Sequence, residues 1–281
     1  MNIGIIGLGL IGGSLGLDFR SQGYKVLGVS RQQSTCDIAV KKGVVDESST
    51  SLELLATADL IFICTPIHLI VPTLENLTHY LKKQAIVTDV GSVKEAIVAN
   101  CSQLCPNFVG SHPMAGTAEQ GINAAQFGLF VNAPYLITTL ESTPNFAVEI
   151  LTEIVQKLGC QIYYSSPEEH DQAVAWISHL PVMISTSLIQ ACAKEQDLNI
   201  RQLAENLASS GFRDTSRVGA GNPQLGLMMA KYNRQALLIS LANYRQNLDQ
   251  IIEYIAEEKW QELEEILVSS HQYRANFIQL K

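Results

Sequence analysis

"NIGIIGLGLIGGSLG" (residues 2–16) decides how the chain is to be read. Its opening isoleucine-rich run is too apolar to keep a wet face, which suits a strand inside a parallel sheet. The glycines that follow fall at the spacing of a dinucleotide-binding turn. Gly7 admits the tight turn, Gly9 a close approach of backbone to a pyrophosphate, and Gly12 the packing of the next helix on the strand. Leu10 and Ile11 open that helix, whose N-terminal amides would face the phosphates.

Outward from this turn the first half alternates. Strand-length runs rich in Val and Ile occur at 2–7, 25–30, 58–65, 84–90 and 107–111, with helical stretches at 10–22, 34–42, 67–82 and 92–104. Such alternation predicts a parallel sheet covered on both faces. A strand at 135–140, a helix over 145–158 and a strand at 160–165 complete it. From Pro167 strand-like runs stop and helical periodicity takes over, beginning with one long helix over 167–196 bent near Pro181. The fold class expected is α/β: a Rossmann-type parallel sheet over 1–166 that binds the cofactor, then an all-helical domain over 167–281. Late in that half Leu237, Leu238, Leu241, Leu248, Ile251, Ile252 and Ile255 recur at three- and four-residue steps. The stripe is either core or the face of a homodimer.

At 47% hydrophobic and 16% charged residues the chain reads as compact and globular. A net charge of −8 without basic runs argues against nucleic acid and anionic membranes as partners. The apolar start lacks a basic n-region, no apolar run is expected to span a bilayer, and the six scattered cysteines show no metal spacing. A cytoplasmic protein with reduced thiols and no bound metal is expected.

The cofactor crevice gathers further residues. The second strand ends in "SRQQST" (30–35), where an NAD site usually places an acid. Ser30, Arg31 and Thr35 offer hydrogen bonds and positive charge to a 2′-phosphate, which favours NADP, unless Arg31 is only a solvated loop residue. "CTPIH" (64–68) brings Cys64, Thr65 and Pro66 to another strand end, with His68 on the rim. "DVGSVK" (89–94) adds Gly91 for close approach and Ser92, which is either a site hydroxyl or the N-cap of the next helix.

Beyond the following strand lies "VGSHPMAGTAEQG" (109–121), poor in helix and strand formers, so His112 is expected in a loop at the crevice. A histidine in a loop is commonly a surface or capping residue. "EEHDQAVAWISHLP" (168–181) and "SSGFRDTSRVGAGNP" (209–223) add a second polar cluster containing His179, Arg213 and Arg217. Two histidines, two arginines and a dinucleotide site suggest oxidation of an anionic hydroxy compound.

In "GLGLIGGSLG" (7–16), "DVGSVK" (89–94), "GSHPMAG" (110–116), "HDQAVAWISHLP" (170–181) and "GFRDTSRV" (211–218) the chain resembles the prephenate/arogenate dehydrogenase family of tyrosine biosynthesis. It is most similar to the short, single-function form of plants and cyanobacteria. The resemblance implies oxidative decarboxylation of a cyclohexadienol: hydride leaves C4 for the nicotinamide as the hydroxyl proton is taken, and loss of CO₂ makes the ring aromatic. On the same basis His112 is the catalytic acceptor and Ser92 helps to place it. Arg217 grips a substrate carboxylate, with Arg213 and His179 on the substrate side. The likeness leans toward arogenate, giving tyrosine; prephenate, giving 4-hydroxyphenylpyruvate, is the alternative. One departure is Gly226, where many members carry tryptophan three residues after the proline matching Pro223.

Two other classes join a Rossmann domain to helices or bind NADP without chemistry. A β-hydroxyacid dehydrogenase would need a lysine in the helical half near 167–190, where none stands, and Lys94 reads as a first-turn helix residue. A non-catalytic NADP sensor would not need a proton acceptor beside the nicotinamide.

Overall fold

The computed structural model describes residues 1–117 and 119–278. The chain divides into two compact units, Met1–Arg234 and Gln235–Lys281.

The first unit begins with β1 (Asn2–Ile6), α1 (Leu10–Ser21), β2 (Lys25–Val29), α2 (Gln33–Lys41) and β3 (Glu47–Ser49). Next come β4 (Leu60–Ile63), α3 (Ile67–Leu77), β5 (Ile86–Asp89), α4 (Glu95–Leu104) and β6 (Phe108–Pro113). β7 (Pro134–Thr138), α5 (Asn145–Gln156) and β8 (Gln161–Ser165) close the sheet, whose order is β3-β2-β1-β4-β5-β6-β7-β8. The strands pack apolar groups on both faces. In β4, Leu60 and Phe62 join one buried cluster with α1 and α5, while Ile61 and Ile63 join another with α3 and α4. Each fully buried side chain of this kind contributes about 1.5–3 kcal/mol.

Three features differ from expectation. β3 is a three-residue strand, Glu-Ser-Ser, whose polar sequence carries no strand signal; it forms because Leu27 to Val29 of β2 offer it a parallel edge. The sheet is parallel only as far as β6, and β7 runs antiparallel to it. Among the described residues of the connection over 114–133 there is only a short helical turn at Ile122–Ala124 and no crossover helix, and the chain doubles back instead of crossing over. His112 is not in a loop: β6 continues through Pro113, with His112 opposite Leu136. Pro113 is tolerated because it is the strand's last residue.

After β8, α6 (Pro167–Val174), a π-turn (Ala175–His179) and α7 (Leu180–Ala193) follow without interruption. The irregularity precedes Pro181, whose missing N–H cannot continue the regular ladder. Counted across its polar residues, Pro167–Ala193 is long and apolar enough to cross a membrane, contrary to expectation. It also holds buried His170, Asp171 and His179. α8 (Leu198–Leu207), α9 (Ser210–Ser216) and α10 (Pro223–Tyr232) complete that unit.

The second unit holds α11 (Arg234–Ala256) from Gln235 onward and α12 (Trp260–Phe277). Leu238, Leu248, Ile252 and Ile255 of the sequence stripe are exposed on α11.

Candidate active site

The cofactor turn is shaped by contact. Gly7 sits at φ +96, and a Cβ there would lie 2.6 Å from the carbonyl oxygen of Cys64. A Cβ on Gly12 would strike the Gly7 carbonyl at 2.0 Å. Gly9 caps α1 without a side-chain bond, and a Cβ there would meet nothing within 4 Å. The backbone is thus pressed against β4 on one side and open on the other, at a helix N-terminus with no acidic residue in its first turn. That is the cradle a pyrophosphate requires. It lies at the switch point between β1 and β4, and the Thr65 hydroxyl is buried there without a partner among the described residues. Burial pushes the Cys64 thiol up, so no thiolate stands at this edge.

At the end of β2, Arg31 is exposed and Thr35 lies in the first turn of α2, which also lacks an acid. The Ser30 hydroxyl accepts from the Gln32 amide at 3.4 Å. One exposed cation and two hydroxyls therefore stand at this end of the sheet.

Beneath His112 the sheet is polar and closed. Asp89, at the end of β5, pairs with Lys94, and both side chains are fully buried. Asp89 also accepts from the amides of Gly91 and Ser111, at 2.8 and 3.3 Å. The Lys94 ammonium donates to the Ser111 carbonyl at 2.8 Å, and the Ser111 hydroxyl to the Asp89 carbonyl at 2.6 Å. Thr88 and Tyr135 hydroxyls each lie 3.0 Å from Ser111 Oγ. Lys94 is therefore a buried brace between β5 and β6, placed at the N-cap of α4 and not in its first turn. Burial holds its ammonium below the ordinary lysine range, opposed by Asp89. Breaking such a pair costs about 3–5 kcal/mol.

His112 stands above this brace. Its Nδ1 lies 2.8 Å from His170 Nε2, and the rings meet edge-on, 62° apart. His170 Nδ1 lies 2.7 Å from Asp171 Oδ1. The Asp171 carboxylate also accepts the backbone amides of Lys94 at 2.7 Å and Glu95 at 3.0 Å, capping α4 from another helix. A capping box of Ser166 and Glu169, with Pro167 in the first turn, fixes the start of α6 and so the facing of His170. Burial, then the neighbouring His170 and Lys94, hold His112 well below the usual histidine range.

His179 is also buried. Its Nδ1 lies 3.1 Å from Asn233 Nδ2, which donates at 2.7 Å to the Asp171 carbonyl. Because that carbonyl can only accept, the amide must turn its NH₂ group this way, and His179 Nδ1 then accepts too. The ring proton is on Nε2, which is buried without a partner among the described residues. Burial lowers the His179 pKa to about 4.

The remaining sequence candidates are placed as follows. Ser92 does not cap α4, which begins at Glu95 after Lys94; its hydroxyl is buried without a partner among the described residues. Arg213 is exposed and pairs with its neighbour Asp214 at 3.1 Å. Arg217 is exposed in the turn after α9. That turn is clamped to α7: a Cβ on Gly219 would lie 2.5 Å from the Thr186 amide, and the Ser185 hydroxyl donates to the Thr215 carbonyl at 2.6 Å. The structure thus joins His112 to the helical half through His170, and forms no hydrogen bond from His112 to Ser92 or Arg217. Sequence reading missed His170, Asp171, Asn233 and the Asp89–Lys94 pair. The sequence signal for two of them is the adjacent base and acid of "HDQ" (170–172).

The family model for the nucleotide-binding domain of prephenate dehydrogenase matches residues 15–164, and that for its dimerization domain matches 166–269. Arogenate dehydrogenase of Synechocystis is 56% identical, with a TM-score of 0.91 over 99% of this chain and 100% of that one. Prephenate dehydrogenase of A. aeolicus, solved with hydroxyphenyl propionate and NAD+, is 25% identical, with a TM-score of 0.93 over 99% and 98%. The Bacillus subtilis prephenate dehydrogenase is 31% identical over 96% of this chain and 74% of its own length. The glycine turn precedes the first match, so the cradle at Gly7–Gly12 and the two matches are separate grounds for a nicotinamide-dependent oxidoreductase. With the two models matching residues 15–164 and 166–269, the chain belongs to the prephenate dehydrogenase family.

Proposed function

We propose that the protein oxidises and decarboxylates arogenate to tyrosine with NADP⁺ as hydride acceptor. The observation that carries this reading is His112: buried near the end of β6, one ring nitrogen held by His170 and the other without a hydrogen bond among the described residues. The C4 hydroxyl of a cyclohexadienol presented to that free Nε2 loses its proton to it, which makes hydride departure from C4 favourable. When bound, the nicotinamide supplies the hydride acceptor. The Ser92 hydroxyl, buried without a partner among the described residues, is available to the same substrate hydroxyl, and His179 Nε2–H is available as a donor. Arg217 is the proposed carboxylate partner, with Arg213 a lesser candidate because Asp214 already engages it.

Arogenate is favoured by the likeness to the Synechocystis enzyme, and NADP by Arg31 and the acid-free start of α2. Prephenate as substrate, giving 4-hydroxyphenylpyruvate, is the second reading, favoured by the B. subtilis relative. The same proposal assigns cofactor binding to residues 1–166 and substrate binding and dimerisation to 167–281, in a cytoplasmic homodimer. The exposed apolar residues of α11, and α8 with none of its residues buried, support such pairing.

The test is reduced-cofactor formation with arogenate and prephenate, each with NADP⁺ and NAD⁺. Faster turnover of arogenate with NADP⁺ is expected. Faster turnover of prephenate moves the assignment to the second reading, and preference for NAD⁺ overturns the cofactor. No turnover of either cyclohexadienol overturns the whole.

A further inference from the structure

We propose that His170, oriented by Asp171, is a positioning residue that fixes His112 as its Nδ1–H tautomer and keeps Nε2 bare. This rests on the proposed role of His112 as proton acceptor and assigns what makes that role possible.

Consider the hydrogen bonds from the fixed end. The amides of Lys94 and Glu95 can only donate, so the Asp171 carboxylate is pinned at the start of α4 as an acceptor. Its third neighbour, His170 Nδ1 at 2.7 Å, must therefore carry a proton. A neutral His170 is then bare at Nε2. Burial lowers its pKa more than the bond to Asp171 raises it, which favours the neutral ring. The proton between the two histidines, 2.8 Å apart, belongs to His112 Nδ1. His112 Nε2 is left with a lone pair and no proton.

Without this chain a free imidazole would populate both tautomers, and the Nε2–H form cannot accept. The relay also acts after proton transfer. The substrate proton goes to His112 Nε2 while the Nδ1 proton stays, and the imidazolium so formed donates a charge-assisted bond to His170, backed by the Asp171 carboxylate. The edge-on meeting of the rings serves this arrangement, since stacked rings could not align the two nitrogens.

The experiment uses the full-length protein labelled with ¹⁵N-histidine, and reads ring nitrogen shifts beside steady-state kinetics. In the wild type His112 is expected with a protonated Nδ1 and an unprotonated Nε2. His170→Leu and Asp171→Asn should mix or reverse that assignment and lower kcat by about 10²–10⁴-fold, with KM moving little. His170→Gln, whose amide oxygen can take the place of Nε2 as acceptor, should recover about tenfold over His170→Leu. Should Asp171→Asn fail to fold, the Leu and Gln pair at 170 carries the test.

A wild-type His112 protonated on Nε2 would overturn the proposal. So would full kcat in His170→Leu where His112→Asn is inactive. If His112→Asn instead retains activity while the wild-type tautomer is as stated, the relay stands and the assignment of His112 as acceptor fails.

Discussion

His112 and His179 are the same residue in similar surroundings: both buried, both neutral, each with one ring nitrogen held and one free. They are set to opposite tasks. Near the end of β6 the held nitrogen of His112 faces an acceptor, so its free nitrogen accepts. On the long helix the held nitrogen of His179 faces an amide NH₂, so its free nitrogen donates. One residue decides both. The Asp171 carboxylate orients His170 and through it His112, while its backbone carbonyl orients Asn233 and through it His179. The function of a buried histidine is thus decided one bond away from the ring.

The comparison predicts unequal losses. His112→Asn should lower kcat about 10²–10⁴-fold with cofactor affinity unchanged, measured by steady-state turnover and cofactor titration. Near-normal turnover would remove the distinction between the two histidines. Arg217→Ala should act through KM, raising it about 10–100-fold, because a carboxylate clamp holds ground and transition states alike. His179→Ala should do the same by about tenfold, since it removes a donor without removing the base. A kcat loss in His179→Ala equal to that in His112→Asn would mean that both act on the proton.

How much of this could be read from the sequence follows the range of the forces involved. The glycine turn, the apolar strands and the change of character at Pro167 are local patterns, and the structure contains each. β3 and the reversal at β7 are not local: a polar tripeptide pairs because an edge is available, and β7 turns back after a connection whose described residues hold only a three-residue helical turn. At the site, His112 stood out by its neighbours in the chain. Its working partners lie 58 residues away or more, and meet it only because α6 packs on the start of α4. Lys94 looked like an ordinary helix-opening residue because nothing in "GSVK" shows that Asp89 is folded back upon it.

The shared neutrality of the histidines has a consequence in pH. Each is held below the ordinary histidine value, near 6.5, mainly by burial. A group whose folded-state pKa is depressed contributes stability that is complete above its unfolded pKa and lost as pH falls toward the folded one. Urea denaturation should therefore show stability declining from about pH 6.5, and for His179 down to about 4, a contribution of about 3 kcal/mol from that ring. The acid limb of kcat/KM should lie below 6.5 for the same reason. An acid limb at or above 6.5 would mean that His112 is not held neutral by its site.

The finest test of the comparison changes one side and leaves the other intact. In Asn233→Asp the side chain loses the NH₂ group that served both the Asp171 carbonyl and His179 Nδ1, and offers oxygens in its place. An oxygen beside Nδ1 draws a proton there, so the His179 pKa should rise from about 4. Below the new value the ring carries both protons and still donates from Nε2; above it Nε2 is bare and donation stops. KM should then increase with pH by about tenfold across that titration, where the wild type is flat. Because His112 is oriented through the Asp171 carboxylate and not its carbonyl, kcat should change little. A matching fall in kcat would show that the two histidines are coupled more tightly than their separate hydrogen bonds to Asp171 imply.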